Sequence, residues 1–331
     1  MTHIPILDHV PVIDIQPFLQ GSPAGRDAVA RQVQAACEQV GFLVVTGHGV
    51  GAGTVNDLYR EAHAFFRSSE AIKQEVVKPS GTNPRGYSPV GLKTVGKDRN
   101  PALKPSLFES FAIGPVADGV ANLWPAERTG FQGAFLSYYA AMEQLAGVIL
   151  DIFSHSLEVP ASYFRDRVRR HMSILRANHY PPLQGLPGEG EERAAAHTDA
   201  TAITILKVDD APGGLQVQLP RGAWVDVPKV EDSFVVNIGD ILMRWTNDRY
   251  LSTMHRVVNP PPEVAATADR MSIPYFCIPD YEAVVECIPS CEGAGAKYAP
   301  VTAGKLLSDR YAVTYSLAAR QPAGPSYQPH I

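Results

Sequence analysis

Ser173-Ile174-Leu175-Arg176-Ala177-Asn178-His179-Tyr180-Pro181-Pro182 opens a stretch, residues 173–277, whose texture differs from everything before it. Short apolar runs at 173–180, 201–208, 215–219, 224–227, 234–238, 255–258 and 271–277 alternate with turn signals. The turns are Gly213-Gly214, Arg221-Gly222, Gly239-Asp240 and Asn247-Asp248. Runs this short and this evenly punctuated predict antiparallel strands folded into a sandwich or barrel. The fold class expected is mainly β with flanking helices.

Upstream the periodicity is helical. Val29, Val33, Ala36 and Val40 form one stripe over 26–40, which Gly41 ends. Residues 42–46 then read as an apolar strand closed by Gly47-His48-Gly49, and Val12-Ile13-Asp14-Ile15 alternates like a short strand. A second helix is predicted over 55–77, with Leu58, His63, Phe65 and Phe66 among its larger residues. A long core helix over 129–157 carries Phe131, Phe135, Tyr138, Tyr139, Met142, Leu145 and Leu150, and a shorter one fits 161–168. Residues 78–125 are rich in Pro and Gly and read as loops with short strands. A last helix fits 302–316, followed by a tail with three prolines that should be poorly ordered unless it packs over something.

The expected organisation is an N-terminal region of helices and strands (1–125), a helical segment (126–172), a catalytic barrel (173–300), and a C-terminal helix and tail (301–331). Together they form one structural unit. At 331 residues, 45% apolar and 19% charged, the chain has the composition of a globular protein. A net charge of -5 without a basic run argues against a nucleic-acid or membrane-surface partner. No secretory signal and no run of about 18 apolar residues is visible, so the chain reads as cytoplasmic. The four cysteines lack zinc-site spacing and read as reduced, mostly buried thiols. No apolar helix demands a partner, and a monomer acting on a small molecule is expected.

His197-Thr198-Asp199 is the first chemical signal. Residues two apart on a strand share a face, so an imidazole and a carboxylate converge. With ten histidines in the chain, H-x-D alone decides little. His255 from a later strand would complete two nitrogens and one oxygen on one side of a metal, the set favoured by iron(II) oxygenases. Two further pairs have the same parity. Arg270 and Ser272 suit a carboxylate, because a guanidinium fork makes two charge-assisted hydrogen bonds. Asn178 and Tyr180 could reach a metal-bound water or a ligand carboxylate. Each pair alone could be ordinary strand decoration; three in one barrel argue for a site.

These residues carry a family resemblance. The chain resembles the iron(II)- and 2-oxoglutarate-dependent dioxygenases, in the branch that includes isopenicillin N synthase and plant flavonoid and gibberellin oxygenases. It does so from about Ile4 to Tyr315, through Gly41-Phe42-Leu43-Val44-Val45-Thr46-Gly47-His48-Gly49-Val50, Arg85-Gly86-Tyr87, Asn178-His179-Tyr180-Pro181-Pro182, Gly214-Leu215-Gln216-Val217 and Asn237-Ile238-Gly239-Asp240 as well as the pairs above. The resemblance implies a distorted double-stranded β-helix (jelly roll, cupin-like) core. It implies Fe(2+) held by His197, Asp199 and His255, and 2-oxoglutarate held by Arg270 and Ser272, with Tyr180 assisting and Asn178 near the metal. It further implies O2 as the oxidant, release of succinate and CO2, and a small molecule that is hydroxylated or desaturated. His48 is expected to pack rather than ligate.

An oxidase on the same fold that uses no 2-oxoglutarate stays open, because isopenicillin N synthase and aminocyclopropane-carboxylate oxidase keep an Arg-x-Ser. A non-catalytic binding module should have lost a ligand, and a zinc hydrolase would leave Arg270-Met271-Ser272 unexplained. The expected pocket walls, by family position, are Phe276, Arg176, Glu109, Phe111 and the loop residues Arg85 and Tyr87. Arg176 shares the parity of Asn178 and Tyr180 and would suit an acidic substrate. Lys93, Lys97 and Lys104 are expected to be solvated loop charges.

Overall fold

The computed structural model describes residues 7–310 except 80–82, 98, 101, 184, 186 and 189. The N-terminal part runs β1 (Val12–Asp14), α1 (Gln16–Leu19), α2 (Pro23–Gln39), β2 (Phe42–Thr46), α3 (Ala52–Phe66), α4 (Glu70–Glu75), β3 (Gly86–Ser88) and β4 (Glu109–Ile113). The long α5 (Thr129–Ser156) leads into the strand-rich part. There β5 (Ile174–Tyr180), β6 (Ala194–His197), β7 (Ile203–Val208), β8 (Leu215–Gln218), β9 (Trp224–Asp226) and β10 (Phe234–Ile238) follow one another. After α6 (Asp240–Trp245) come β11 (His255–Val257), β12 (Arg270–Cys277), β13 (Val284–Val285) and β14 (Val301–Thr302). Residues 303–310 are helical; the rest of the helix and the tail expected after 302 lie outside the described residues.

Local chemistry sets these boundaries. Helix α2 begins at the Ser22 cap, whose hydroxyl accepts from the Gly25 N–H, with Pro23 in the first turn. It stops at Gly41, whose φ of +72° places a would-be Cβ 2.1 Å from the Leu251 carbonyl. Only glycine fits there. The helix expected over 55–77 is two helices, because Ser68 and Ser69 interrupt it. The Ser68 hydroxyl bonds back to the Ala64 carbonyl at the end of α3. The helix expected over 161–168 is a single 3-10 turn, Arg165–Arg167. Asp280 holds this segment from outside, accepting from the Arg170 N–H and donating to the Arg167 carbonyl. So short a run does not offset the cost of nucleating a helix. Strand β6 went unforeseen because Ala194-Ala195-Ala196 has no strand-type side chains. Helix α6 is too short to show a period.

Eight strands make a large sheet in the order β1-β2-β10-β7-β12-β5-β4-β3, and four make a small sheet, β6-β11-β8-β9. Only β1 and β2 among the large sheet's pairs run parallel. The outer face of the large sheet carries Leu43, Val45, Phe111, Ile113, Leu175, Ile205 and Tyr275 into one core with α2, α3 and α5. The inner face meets the small sheet. Phe42, Val44 and Val235 pack on Leu215 and Val217, and Tyr180 packs with Ala194 and Val257. This is the double-stranded β-helix expected, with the helices buttressing one side. No helix among the described residues is long and apolar enough to cross a membrane.

Candidate metal centre

His197 ends β6 and His255 begins β11, and the two stand directly opposite each other in the small sheet. Their rings lie 4.2 Å apart, and Asp199 follows two residues after His197. Asp199 Oδ1 sits 3.8 Å from Nε2 of His197 and 3.8 Å from Nε2 of His255. One ligand atom from each residue falls within 4.8 Å of the others, a spacing one metal ion can bridge.

The backbone fixes the tautomers. His197 Nδ1 lies 2.7 Å from the Ala195 carbonyl and His255 Nδ1 lies 3.1 Å from the Thr253 carbonyl. A carbonyl only accepts, so each Nδ1 carries the proton and each Nε2 presents a lone pair to the centre. Burial, aided by the neighbouring His255, pushes the His197 pKa down to about 4, so its ring is neutral at pH 7. Asp199 is oriented in the same way. Its Oδ2 accepts from Thr204 Oγ1 at 2.6 Å and Asn237 Nδ2 at 2.9 Å, which leaves Oδ1 facing the two imidazoles. Burial opposes the carboxylate charge, but His255, His197, Thr204 and Asn237 outweigh it and hold the pKa below the ordinary range. Two inward imidazole lone pairs and one carboxylate are a donor set that fits iron(II).

The adjoining floor comes from the large sheet. Arg270 pairs in register with Tyr180, and Ser272 with Asn178, so the four expected side chains form two adjacent rows on one face. Arg270 is 2% exposed, and among the described residues its Nη1 has no hydrogen-bond partner; Asn178 Oδ1, also buried, has none either. A buried guanidinium with an unused amino group is costly unless a carboxylate completes it. Arg193, fully buried, lies behind Tyr180. It donates to the carbonyls of Pro212 and Ala268, and its guanidinium stands 5.6 Å from the Tyr180 ring, against 4.8 Å for Arg270. Burial and the charge of Arg270 lower the Arg193 pKa to about 10. Arg270 also lines a cavity of about 510 Å³ with Val208, Asp209, Leu215 and Val235; none of the three metal-site residues lines it.

Arg176 and Phe276 share the inner face with these rows, the guanidinium 5.0 Å from the ring. Four other expected wall residues do not reach the site. Glu109 and Phe111 alternate with the inward Ser110 on β4 and point to the helices. Phe111 packs against Phe65, Phe131 and Phe135. Glu109 accepts from Tyr87 Oη at 2.6 Å and bonds His179 and Lys73 on that same outer side. Arg85 is buried against Asp118 and the Val120 carbonyl. The loop lysines also differ from expectation. Lys97 is 5% exposed and Lys93 is half-buried with its ammonium on Ser110 Oγ, whereas Lys104 is exposed beside Glu191 as anticipated. His48 packs on Phe234, with Nε2 on the Asp232 carbonyl.

The sequence reading did not single out Thr204, Arg193 or the clamp on Thr198. That clamp joins Arg99 from the loop between β3 and β4 to Arg310 from the C-terminal helix, both bonded to the residue between two metal-site residues. Asn237 lay in the quoted Asn237-Ile238-Gly239-Asp240 motif, but nothing in the sequence pairs it with Asp199.

The model of the 2OG-Fe(II) oxygenase superfamily matches residues 171–279, which hold every residue of this centre and floor except those of the covering loops. A second model, the N-terminal region of a non-haem dioxygenase in morphine synthesis, matches 10–127. The 2-oxoglutarate-Fe(II) type oxidoreductase hxnY of Emericella nidulans is 30% identical over 96% of this chain and 92% of its own. The chain belongs to the 2OG-Fe(II) oxygenase superfamily. It is an oxidoreductase of a family that uses Fe(2+), 2-oxoglutarate and O2. Gibberellin 20 oxidase 1-B of Triticum aestivum is 33% identical over 86% of this oxygenase and 73% of its own length. A full-length Neurospora crassa protein, crystallised in complex with alpha-KG, is 32% identical, with a TM-score of 0.83 over 92% of this oxygenase and 96% of that chain.

Proposed function

We propose that His197, Asp199 and His255 hold iron(II), that Arg270 and Ser272 hold the distal carboxylate of 2-oxoglutarate with Tyr180 beside them, and that the enzyme hydroxylates or desaturates a small molecule. The observation that carries this reading is Arg270. A buried guanidinium with an unsatisfied Nη1, one register row from Ser272 and Asn178, is built for a carboxylate. Bound iron(II) supplies the dioxygen chemistry that couples loss of CO2 from 2-oxoglutarate to oxidation of the substrate.

The protein's own part is positioning and exclusion of water. The Ala195 and Thr253 carbonyls keep both imidazoles facing inward. Thr204 and Asn237 hold one Asp199 oxygen and leave the other for the metal. The loop between β3 and β4 covers the ligand strand, with Gly96 packed on the Ala196 carbonyl and Arg99 on Thr198.

The oxidase that needs no 2-oxoglutarate is disfavoured by the alpha-KG bound in the similar Neurospora crassa protein. A monomeric, cytoplasmic protein is part of the proposal. It is supported by the composition and by the helices that cover the large sheet's outer face.

Arg270→Gln is the test. Truncating a buried, charge-assisted contact costs about 2–5 kcal/mol. The variant should therefore bind 2-oxoglutarate at least about thirtyfold more weakly by calorimetry, with iron affinity unchanged. Undiminished 2-oxoglutarate affinity would remove Arg270 from carboxylate binding.

A further inference from the structure

Lys93 stands where a solvated loop lysine was expected, yet it is half-buried and its ammonium turns inward. The loop that carries it runs from β3 to β4 across the ligand strand β6. Ser106 N–H bonds the Lys93 carbonyl, Gly96 abuts the Ala196 carbonyl, and Leu107 N–H bonds the Glu192 carbonyl. Lys93 Nζ thereby reaches the inner face of the large sheet and donates to Ser110 Oγ at 2.9 Å. Ser110 lies opposite Asn178, which lies opposite Ser272, so the ammonium sits over the middle row of the floor. Arg176 is the next inward residue on β5, its guanidinium held 5.0 Å from the Phe276 ring.

Among the described residues no carboxylate pairs with Lys93, and its hydrogen-bond acceptor is a neutral hydroxyl. Among the described residues the charges that act on it, Arg176 and Lys78, have the same sign. With burial as the main cause, they hold its pKa well below the ordinary lysine value. A half-buried cation facing cations is unfavourable unless an anion joins it.

2-Oxoglutarate held by Arg270 cannot also reach Arg176. Arg270 is level with Tyr180, four residues from Arg176 along β5. Four residues of strand span roughly 13 Å. An extended five-carbon diacid covers only about half of that at ordinary bond lengths.

We infer that Lys93 and Arg176 form an anion-binding subsite for the primary substrate, and that this substrate carries a carboxylate. The inference rests on the oxygenase reading above and specifies its substrate class. The carboxylate would lie between the Lys93 ammonium and the Arg176 guanidinium, with Ser110 turning to donate to it. The carbon to be oxidised would then project toward the His197, Asp199 and His255 centre. Phe276, under Arg176, would flank the substrate's apolar part.

The experiment is calorimetric titration, under nitrogen, of the full-length chain loaded with Fe(II) and 2-oxoglutarate. The probes are two acids, benzoate and hexanoate, and their neutral amides, benzamide and hexanamide. At least one acid should bind at least about tenfold more tightly than its amide, the scale of one charge-assisted contact. Lys93→Met and Arg176→Met should each erase that margin and leave 2-oxoglutarate affinity at the wild-type value. Lys93→Arg, which keeps the charge, should retain the margin and guards against a loop that has merely collapsed. The inference is overturned if neither acid outbinds its amide in the wild type, or if the margin survives both methionine variants. If wild-type protein takes up no 2-oxoglutarate, the cofactor reading fails instead. The acid-over-amide margin, measured on the iron-loaded protein alone, then still decides the subsite.

Discussion

Asp199 shows how one residue divides its duties. One carboxylate oxygen faces two imidazoles, and the other is occupied by Thr204 and Asn237. Thr204→Val keeps the shape and removes the shorter of those bonds. Loss of such a supporting contact should weaken iron binding about 10- to 100-fold, measured by competition with a chelator, with the circular dichroism unchanged. Wild-type affinity in that variant would show that Asn237 alone orients the carboxylate. At this scale the sequence was informative where chemistry and parity coincide. Arg270, Ser272, Asn178 and Tyr180 are i, i+2 partners on strands, Asp199 follows two residues after His197 at the end of β6, and the fold brings them together. It was uninformative about Lys93, because burial of a loop lysine depends on where the loop folds back and no local pattern encodes that.

Parity fails at the element scale when both faces of a strand are buried. All five residues of β4 are buried, so alternation cannot say which of Glu109, Ser110 and Phe111 faces the site. Family position suggested Glu109 and Phe111; the sheet register shows Ser110. Phe111 is fully buried among Phe65, Phe131 and Phe135, so Phe111→Ala should cost about 3–5 kcal/mol of stability in urea unfolding. It should leave 2-oxoglutarate affinity unchanged, whereas a change in affinity at constant stability would return Phe111 to the pocket wall. The missed elements have a comparable cause: β6 is a run of alanines before its histidine, and its strand geometry comes from pairing with β11 rather than from its own residues.

For the whole molecule, two facing sheets divide the work. The small sheet carries both histidines, the large sheet carries the cationic floor, and α2, α3 and α5 fix the large sheet from behind. The outer face includes a buried polar knot in which His179 bridges Glu109 and Asp269. Burial opposes ionisation of Glu109, yet its bonds to His179, Tyr87 and Lys73 prevail and its pKa lies below the ordinary 4.5. A carboxyl depressed in the folded state contributes stability that is complete above its unfolded pKa and lost as pH falls through the folded value. The stability gap between wild type and Glu109→Gln should therefore be widest near pH 7 and narrow below about pH 4.5. A gap that stays constant across denaturant titrations at these pH values would mean that Glu109 does not link protonation to folding. The centre built on this scaffold is tested most directly by titrating the metal-free protein under nitrogen with iron(II) and then 2-oxoglutarate while recording the visible spectrum. The expected result is a weak metal-to-ligand absorption band that grows with 2-oxoglutarate in the wild type and is absent in Asp199→Ala. Iron uptake without the band, or a band undiminished in Asp199→Ala, would contradict this assignment of the centre.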